Sequence, residues 1–346
     1  MRKFTLIFII VCLAGCSETY NIEDNSTADT IYLDSCTGVA AYLKGRNLPN
    51  LKSVRVWKNE YGPGLKLTTA HYEIYTTLLK LSLLERISEF IESSYRAYNS
   101  LLPKPVETRT KFTIYLLANR SQWEHFTKKF TGEQAEMFCK IKAGAYYHND
   151  ACVLYNIGIK RTLAAIGHEG WHQFNGRHFK FRMPSWLDEG TAMLFETHGM
   201  ENGMIYFDPA ENRYRVDALR KTFAKNKTIS LRELITMNPG DVLATDATES
   251  VMAFYSQSYA LVRFLREADY GKRLGVYQKL LADGLEGTWA LNSTSKRIAT
   301  DRNTPKTAQW NRIVGRRLFE EYIGYNTEQI EREYLVFCKQ ITGTQD

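Results

Sequence analysis

The sequence predicts an α+β protein with a mixed sheet, and three observations carry that prediction. Short alternating stretches dominate residues 51 to 76, three- and four-residue spacing governs residues 82 to 102, and strands then interleave with helices up to a helical C-terminal part from about residue 228. No stretch rich in Pro, Gly or Ser divides residues 51–346, which read as one domain.

"SVRVW" at 53–57, "LKLTT" at 65–69 and "HYEIYT" at 71–76 alternate as half-buried strands do, with Gly62-Pro63-Gly64 as a turn. From Ser82 the period changes: Leu84, Ile87, Ile91, Tyr95, Tyr98 and Leu102 share a helix face, Ser82 and Glu85 offer a capping box, and Pro103 ends the run. "KFTIYLLA" at 111–118 reads as a buried strand, followed by a short helix capped by Ser121 and Glu124. "AGAYY" and "ACVLYNI" flank the turn His148-Asn149-Asp150 as a hairpin. Beyond Gly199 a polar, basic segment leads to a capping box at Ser230 and Glu233, and "YSQSYALVRFLREA" at 255–268 is the clearest amphipathic helix.

The N-terminus follows other rules. Arg2 and Lys3 precede an apolar run, Phe4 to Leu13, too short to span a bilayer, and Ala14-Gly15-Cys16 comes next. This layout resembles a bacterial lipoprotein signal peptide. The resemblance implies removal of residues 1–15, lipid on Cys16, and anchorage to a bacterial membrane in the cell envelope, with the domain facing the periplasm or exterior. Residues 16–50 read as an acidic tether and lead-in, with Glu18, Glu23, Asp24, Asp29 and Asp34 and no base from 17 to 34.

Loss of Arg2 and Lys3 leaves +5 of the formal +7 charge, too mild and too scattered for a nucleic-acid partner. Nothing points to a nucleotide either. After the signal and Cys16, Cys36, Cys139, Cys152 and Cys338 have irregular spacings, and a domain of this size needs no disulfides, so they read as structural thiols.

His168-Glu169-Gly170-Trp171-His172 fits H-E-x-x-H. On a helix, residues four apart lie about 40° around the axis and roughly 6 Å along it, so both imidazoles can meet one ion. Leu163, Ile166, Trp171 and Phe174 supply an apolar stripe, and Gly167 and Gly170 suggest that another segment packs closely there. Two imidazoles leave a catalytic zinc site one protein ligand short. "PSWLDEG" can supply it: with Ser185 as N-cap and Asp188 at the third helical position, Glu189 falls in the first turn of a helix running toward Phe195.

"HEGWH", sixteen intervening residues and Glu189 within "WLDEGTA" resemble the gluzincin zinc metallopeptidases, in particular the peptidase MA-like group. The likeness is sharp over residues 160–198 and looser over about 65–345. It implies a zincin-like fold, Zn2+ held by His168, His172 and Glu189, Glu169 as general base, and a peptide or protein substrate. It also implies that the edge strand "AGAYY" pairs with extended substrate. Met193 stands where thermolysin-type relatives place an acid that orients a ligand histidine; Glu196 either takes that role or is a surface acid. Tyr255 lies about where aminopeptidase-type gluzincins carry an oxyanion tyrosine, with Tyr259 a turn later as its rival.

Two histidines remain. His178 is expected in a solvated or substrate-flanking basic crossing, and His198 at the end of the Glu189 helix, where a cation suits the dipole. "GMEN" at 199–202 resembles the amine-recognising segment of aminopeptidase N relatives but is short by one residue and on the wrong side of the zinc motif, so it reads as coil.

Overall fold

The computed structural model describes residues 35–141, 144–240 and 248–344. The expected signal peptide, the expected lipid site Cys16 and the acidic stretch to Asp34 lie outside them.

The protein is α+β. The first element is a helix, α1 (Cys36–Gly45), whose N-cap Ser35 accepts from Gly38 N at 3.1 Å and which buries Val39, Ala40 and Leu43. Part of the expected lead-in is therefore helical and adds Val39, Ala40 and Leu43 to the core. β1 (Ser53–Val56), β2 (Leu65–Thr68), β3 (Tyr72–Thr76), β4 (Phe112–Leu117), β5 (Ala145–His148) and β6 (Ala151–Tyr155) form a mixed sheet in the order β1-β2-β3-β4-β6-β5. The β3–β4 and β4–β6 pairs are parallel and the others antiparallel, so β5 hangs from β6 as an outermost strand. In β6 every side chain is buried, as expected of a strand covered on both faces.

Helix α2 (Leu81–Ser100) crosses to β4, and α3 (Arg120–Thr131) and α4 (Ala135–Cys139) lead to the β5–β6 hairpin. The two early capping boxes do not form. Lys80 is the cap residue of α2, without a side-chain bond, and Asn119 caps α3 through Gln122 N, while Glu124 pairs with Arg120 at 2.6 Å. In each case the turn starts earlier than the Ser-x-x-Glu spacing implies.

Two helices follow the sheet: α5 (Ile159–His178), and α6 (Ser185–Ala192) extended by a 3-10 turn, Met193–Phe195. Close packing holds α5. A Cβ on Gly167 would lie 2.3 Å from the Phe195 carbonyl oxygen, and one on Gly170 would lie 2.4 Å from Tyr98 Oη of α2. The Tyr98 hydroxyl also donates to Gly167 O at 2.6 Å, so two glycines that weaken a lone helix let α2 and α6 touch its backbone.

Residues 198–207 are not coil. β7 (His198–Glu201) and β8 (Met204–Phe207) form a hairpin turning at Asn202-Gly203, both with positive φ. α7 (Arg213–Ala224), α8 (Leu231–Leu234) and α9 (Thr248–Gly271) open the helical C-terminal part. Ser230 caps α8 as expected, accepting from Glu233 N at 3.3 Å. The apolar period of α9 ends where its backbone breaks, at Ala268 to Tyr270. Further helices, ending with Thr327–Thr342, complete the main core, while Trp123, Phe126, Phe138 and Tyr146 belong to a second, smaller cluster on α3, α4 and the β5–β6 hairpin. The four described cysteines are free thiols. Among the described residues no helix is long and apolar enough to cross a membrane.

Candidate metal centre

The motif helix and its successor bring three donors together. His168 and His172 project from one face of α5 with ring centroids 5.1 Å apart. Glu189 Oε2 of α6 lies 3.3 Å from His168 Nε2 and 3.6 Å from His172 Nε2. One donor atom from each residue lies within 4.8 Å of the others, and all three side chains are buried, so the group could hold a metal ion.

The far ring nitrogens are held as well. His168 Nδ1 meets Glu196 Oε1 at 2.8 Å, and His172 Nδ1 meets Asp188 Oδ1 at 3.0 Å. Such contacts fix the tautomer, leaving Nε2 to face the centre. Glu196 therefore takes the orienting role that was one of its two sequence readings. It is gripped by Arg215 Nε at 2.8 Å, Arg215 Nη2 at 2.5 Å and Asn212 Nδ2 at 2.9 Å. Asp188 is the residue that sequence reasoning missed. It does not serve a capping turn: Pro184 is the cap residue of α6, Ser185 N donates to Asn311 Oδ1 at 3.0 Å, and Asp188 accepts from Asn175 at 2.6 Å and Lys306 at 2.9 Å. Its capping-box spacing masked the signal that could have found it, an acid next to a ligand on the same helix.

Electrostatics fit a cation. Burial pulls the His172 imidazole down, yet Asp188 and Glu189 overcome it and push it up to about 10; His168 is raised too, by Glu189 and Glu196 against burial. Burial works against ionisation of Glu189, but the two histidines hold it down at about 2. Asp188 and Glu196 stay well below the usual carboxylate range, where Lys306 and Arg215 respectively outweigh burial. Ionised Asp188, Glu189 and Glu196 exceed the charge of Arg215 and Lys306 by one, and ionisation of Glu169 beside them would raise the surplus to two, the charge of a divalent ion. Glu189 Oε1 and Glu169 Oε2 are buried without a hydrogen-bond partner among the described residues, a costly state that a bound ion and its water would relieve.

Glu169 is buried beside the ligands, and desolvation raises its carboxyl to about 7 against the pull of both histidines. With His168 it lines a cavity of about 490 Å3 bounded also by Ala145 of β5, Lys160, His198 and Tyr214. Tyr255 is buried in α9, its ring 5.5 Å from the Arg215 guanidinium carbon. Tyr259 donates to Pro209 O and accepts from Arg263 at 3.0 Å.

The other two histidines depart from expectation. His178 is the last residue of α5, not part of a solvated crossing. Its Nε2 meets Thr108 Oγ1 at 2.9 Å, it packs against Phe174 and Phe112, and burial lowers it to about 4. His198 starts β7 rather than ending a helix; it packs edge-on to Phe90, and burial lowers its pKa, so no helix-dipole cation is present.

Fold and site define the class: an α+β protein with a buried His-His-Glu group able to hold a metal ion. A family model described as "Protein of unknown function (DUF1570)" matches residues 162–282, a span that contains His168, Glu169, His172, Glu189 and Tyr255. No curated protein and no solved structure matches the chain.

Proposed function

We propose that this protein is a zinc-dependent metallopeptidase of the gluzincin, peptidase MA-like kind, tethered to a bacterial membrane through lipid on Cys16. The observation that carries the reading is the convergence of His168, His172 and Glu189 with a buried carboxyl, Glu169, tuned to about 7 beside them. Two imidazoles and one carboxylate are a zinc donor set that leaves a coordination position open.

Zinc, when bound, supplies Lewis acidity: it polarises a carbonyl and lowers the pKa of water from 15.7 to about 7. This chain's residues do the rest. Glu189 and the two Nε2 atoms hold the ion, while Asp188 and Glu196 keep the imidazoles aimed. Glu169, buried beside the ligands, would take a proton from the attacking water and return it to the leaving amine. β5, the outermost strand, offers backbone groups to an extended peptide entering the cavity that Ala145 lines. Tyr255 is the proposed oxyanion donor, and Tyr214, on the cavity wall, is its control.

The test is metal content together with chelator-sensitive cleavage of a mixed peptide library. One equivalent of zinc and cleavage that Glu169→Gln abolishes while keeping its zinc support the enzyme. Zinc at one equivalent with no cleavage of any peptide or cell-wall fragment would instead indicate a binding or scaffolding lipoprotein. Unchanged kcat/KM in Tyr255→Phe would remove that residue from the mechanism.

A further inference from the structure

A second cavity, of about 140 Å3, lies behind His172, between the β5–β6 hairpin and the C-terminal half of α5. Its walls include Tyr147, His148, Asn175, Arg182, Asp188 and Arg302. Arg182 is 2% exposed, and its Nη1 donates to Asp301 O at 2.7 Å and Thr304 O at 2.5 Å. Its Nε and Nη2 have no hydrogen-bond partner among the described residues. A guanidinium buried this deeply with two donors idle is costly, and Nε with Nη2 form the fork that grips two oxygens of one anion. Arg302, which gives one bond to Phe179 O at 2.6 Å, adds a second positive charge to the same cavity.

Two acids stand in the wall, Asp150 and Asp188, and neither pairs with these arginines: Asp150 is bound to Arg177 at 2.5 Å. Asp188 spends its oxygens on His172, Asn175 and Lys306, and no ion pair joins it to Arg182 or Arg302 among the described residues. Burial and the neighbouring Arg302 pull Arg182 down to about 10, and the weaker attraction of Asp301 and Asp188 does not offset them.

We propose that this cavity binds a single carboxylate or small oxyanion, held by the Arg182 fork and the charge of Arg302. Such chemistry has two sources. One is a free ion from solvent. The other is the C-terminal carboxylate of a peptide running along β5, since Ala145 lines the large cavity while Tyr147 and His148 line this one. The site rests on the arginines and stands whether or not the protein hydrolyses peptides.

The experiment is calorimetric titration of the full chain, with metal present and Glu169→Gln as background so that no ligand is consumed. The probes are acetate, inorganic phosphate, an N-acetyl tripeptide with a free C-terminus and its C-terminal amide. Saturable one-to-one binding is expected for an anionic probe and not for the amide. Arg302→Gln should weaken it about tenfold or more, as should Arg182→Lys, which keeps the charge and loses the fork. Binding of the tripeptide acid without acetate or phosphate assigns the peptide terminus, and binding of the small ions assigns a free anion. No anionic probe binding, or binding unchanged by Arg302→Gln, would overturn the site even if Arg182→Lys fails to fold.

Discussion

Glu196 holds His168 from behind while Arg215 and Asn212 hold Glu196. Its effect on the ion passes through the imidazole's direction and basicity, so Glu196→Gln should weaken zinc binding about 10–100-fold, measured by competition against a chromogenic chelator. His178 makes a different prediction, because its pKa falls on folding, from the ordinary 6.5 to about 4. As pH drops the unfolded chain takes the proton first. The stability His178 contributes is therefore complete above about pH 6.5 and is lost progressively toward pH 4, amounting to about 1–2 kcal/mol after allowance for its partial exposure. Urea unfolding at pH 7 and pH 4.5 checks this: His178→Gln should lose less stability between the two than the parent.

Helix contact lets glycine behave contrary to its propensity. A Cβ on Gly190 of α6 would stand 2.5 Å from the Ser258 carbonyl oxygen and 2.5 Å from Val262 Cγ2 of α9. Alanine gains up to about 1 kcal/mol in a free helix, but this overlap should make Gly190→Ala a net loss of about 1–3 kcal/mol, seen in the urea midpoint. Gly275→Ala, exposed with nothing within 4 Å, should not be destabilising. Elements were legible where a period or turn announces them: the strands at 53–56, 65–68 and 72–76 and the long helices α2, α5 and α9 lie where the residues put them. Helix starts were less legible, because Ser82, Ser121 and Ser185 carry capping spacings that packing overrides. The β7–β8 hairpin escaped for another reason: Met204 and Tyr206 are exposed and Ile205 and Phe207 pack on the core, so both faces of β8 are apolar and the sequence lacks the polar–apolar alternation that betrays a half-buried strand. At the centre, His168, His172 and Glu189 could be placed from spacing, whereas Arg215 and Lys306 come from distant elements that no local pattern links to the motif.

Across the whole molecule a bound ion would couple to stability, because the donors converge in the folded chain alone. At free zinc 1,000-fold above the dissociation constant this linkage is worth about 4 kcal/mol. Chelation should therefore lower the melting temperature by several degrees in the parent and leave His172→Ala unmoved, a comparison that thermal unfolding with and without chelator makes directly. The three donors and both acids that aim the imidazoles lie between His168 and Glu196, while Arg215 and Lys306 arrive from the rest of the fold. The claw is thus a short cassette whose ends need little loop-closure entropy to meet, whereas its surroundings are recruited across long sequence distances. The grip is encoded locally, but the aim and charge of its fingers depend on helices drawn from much later in the chain, so damage far from the motif would loosen the hold on an ion.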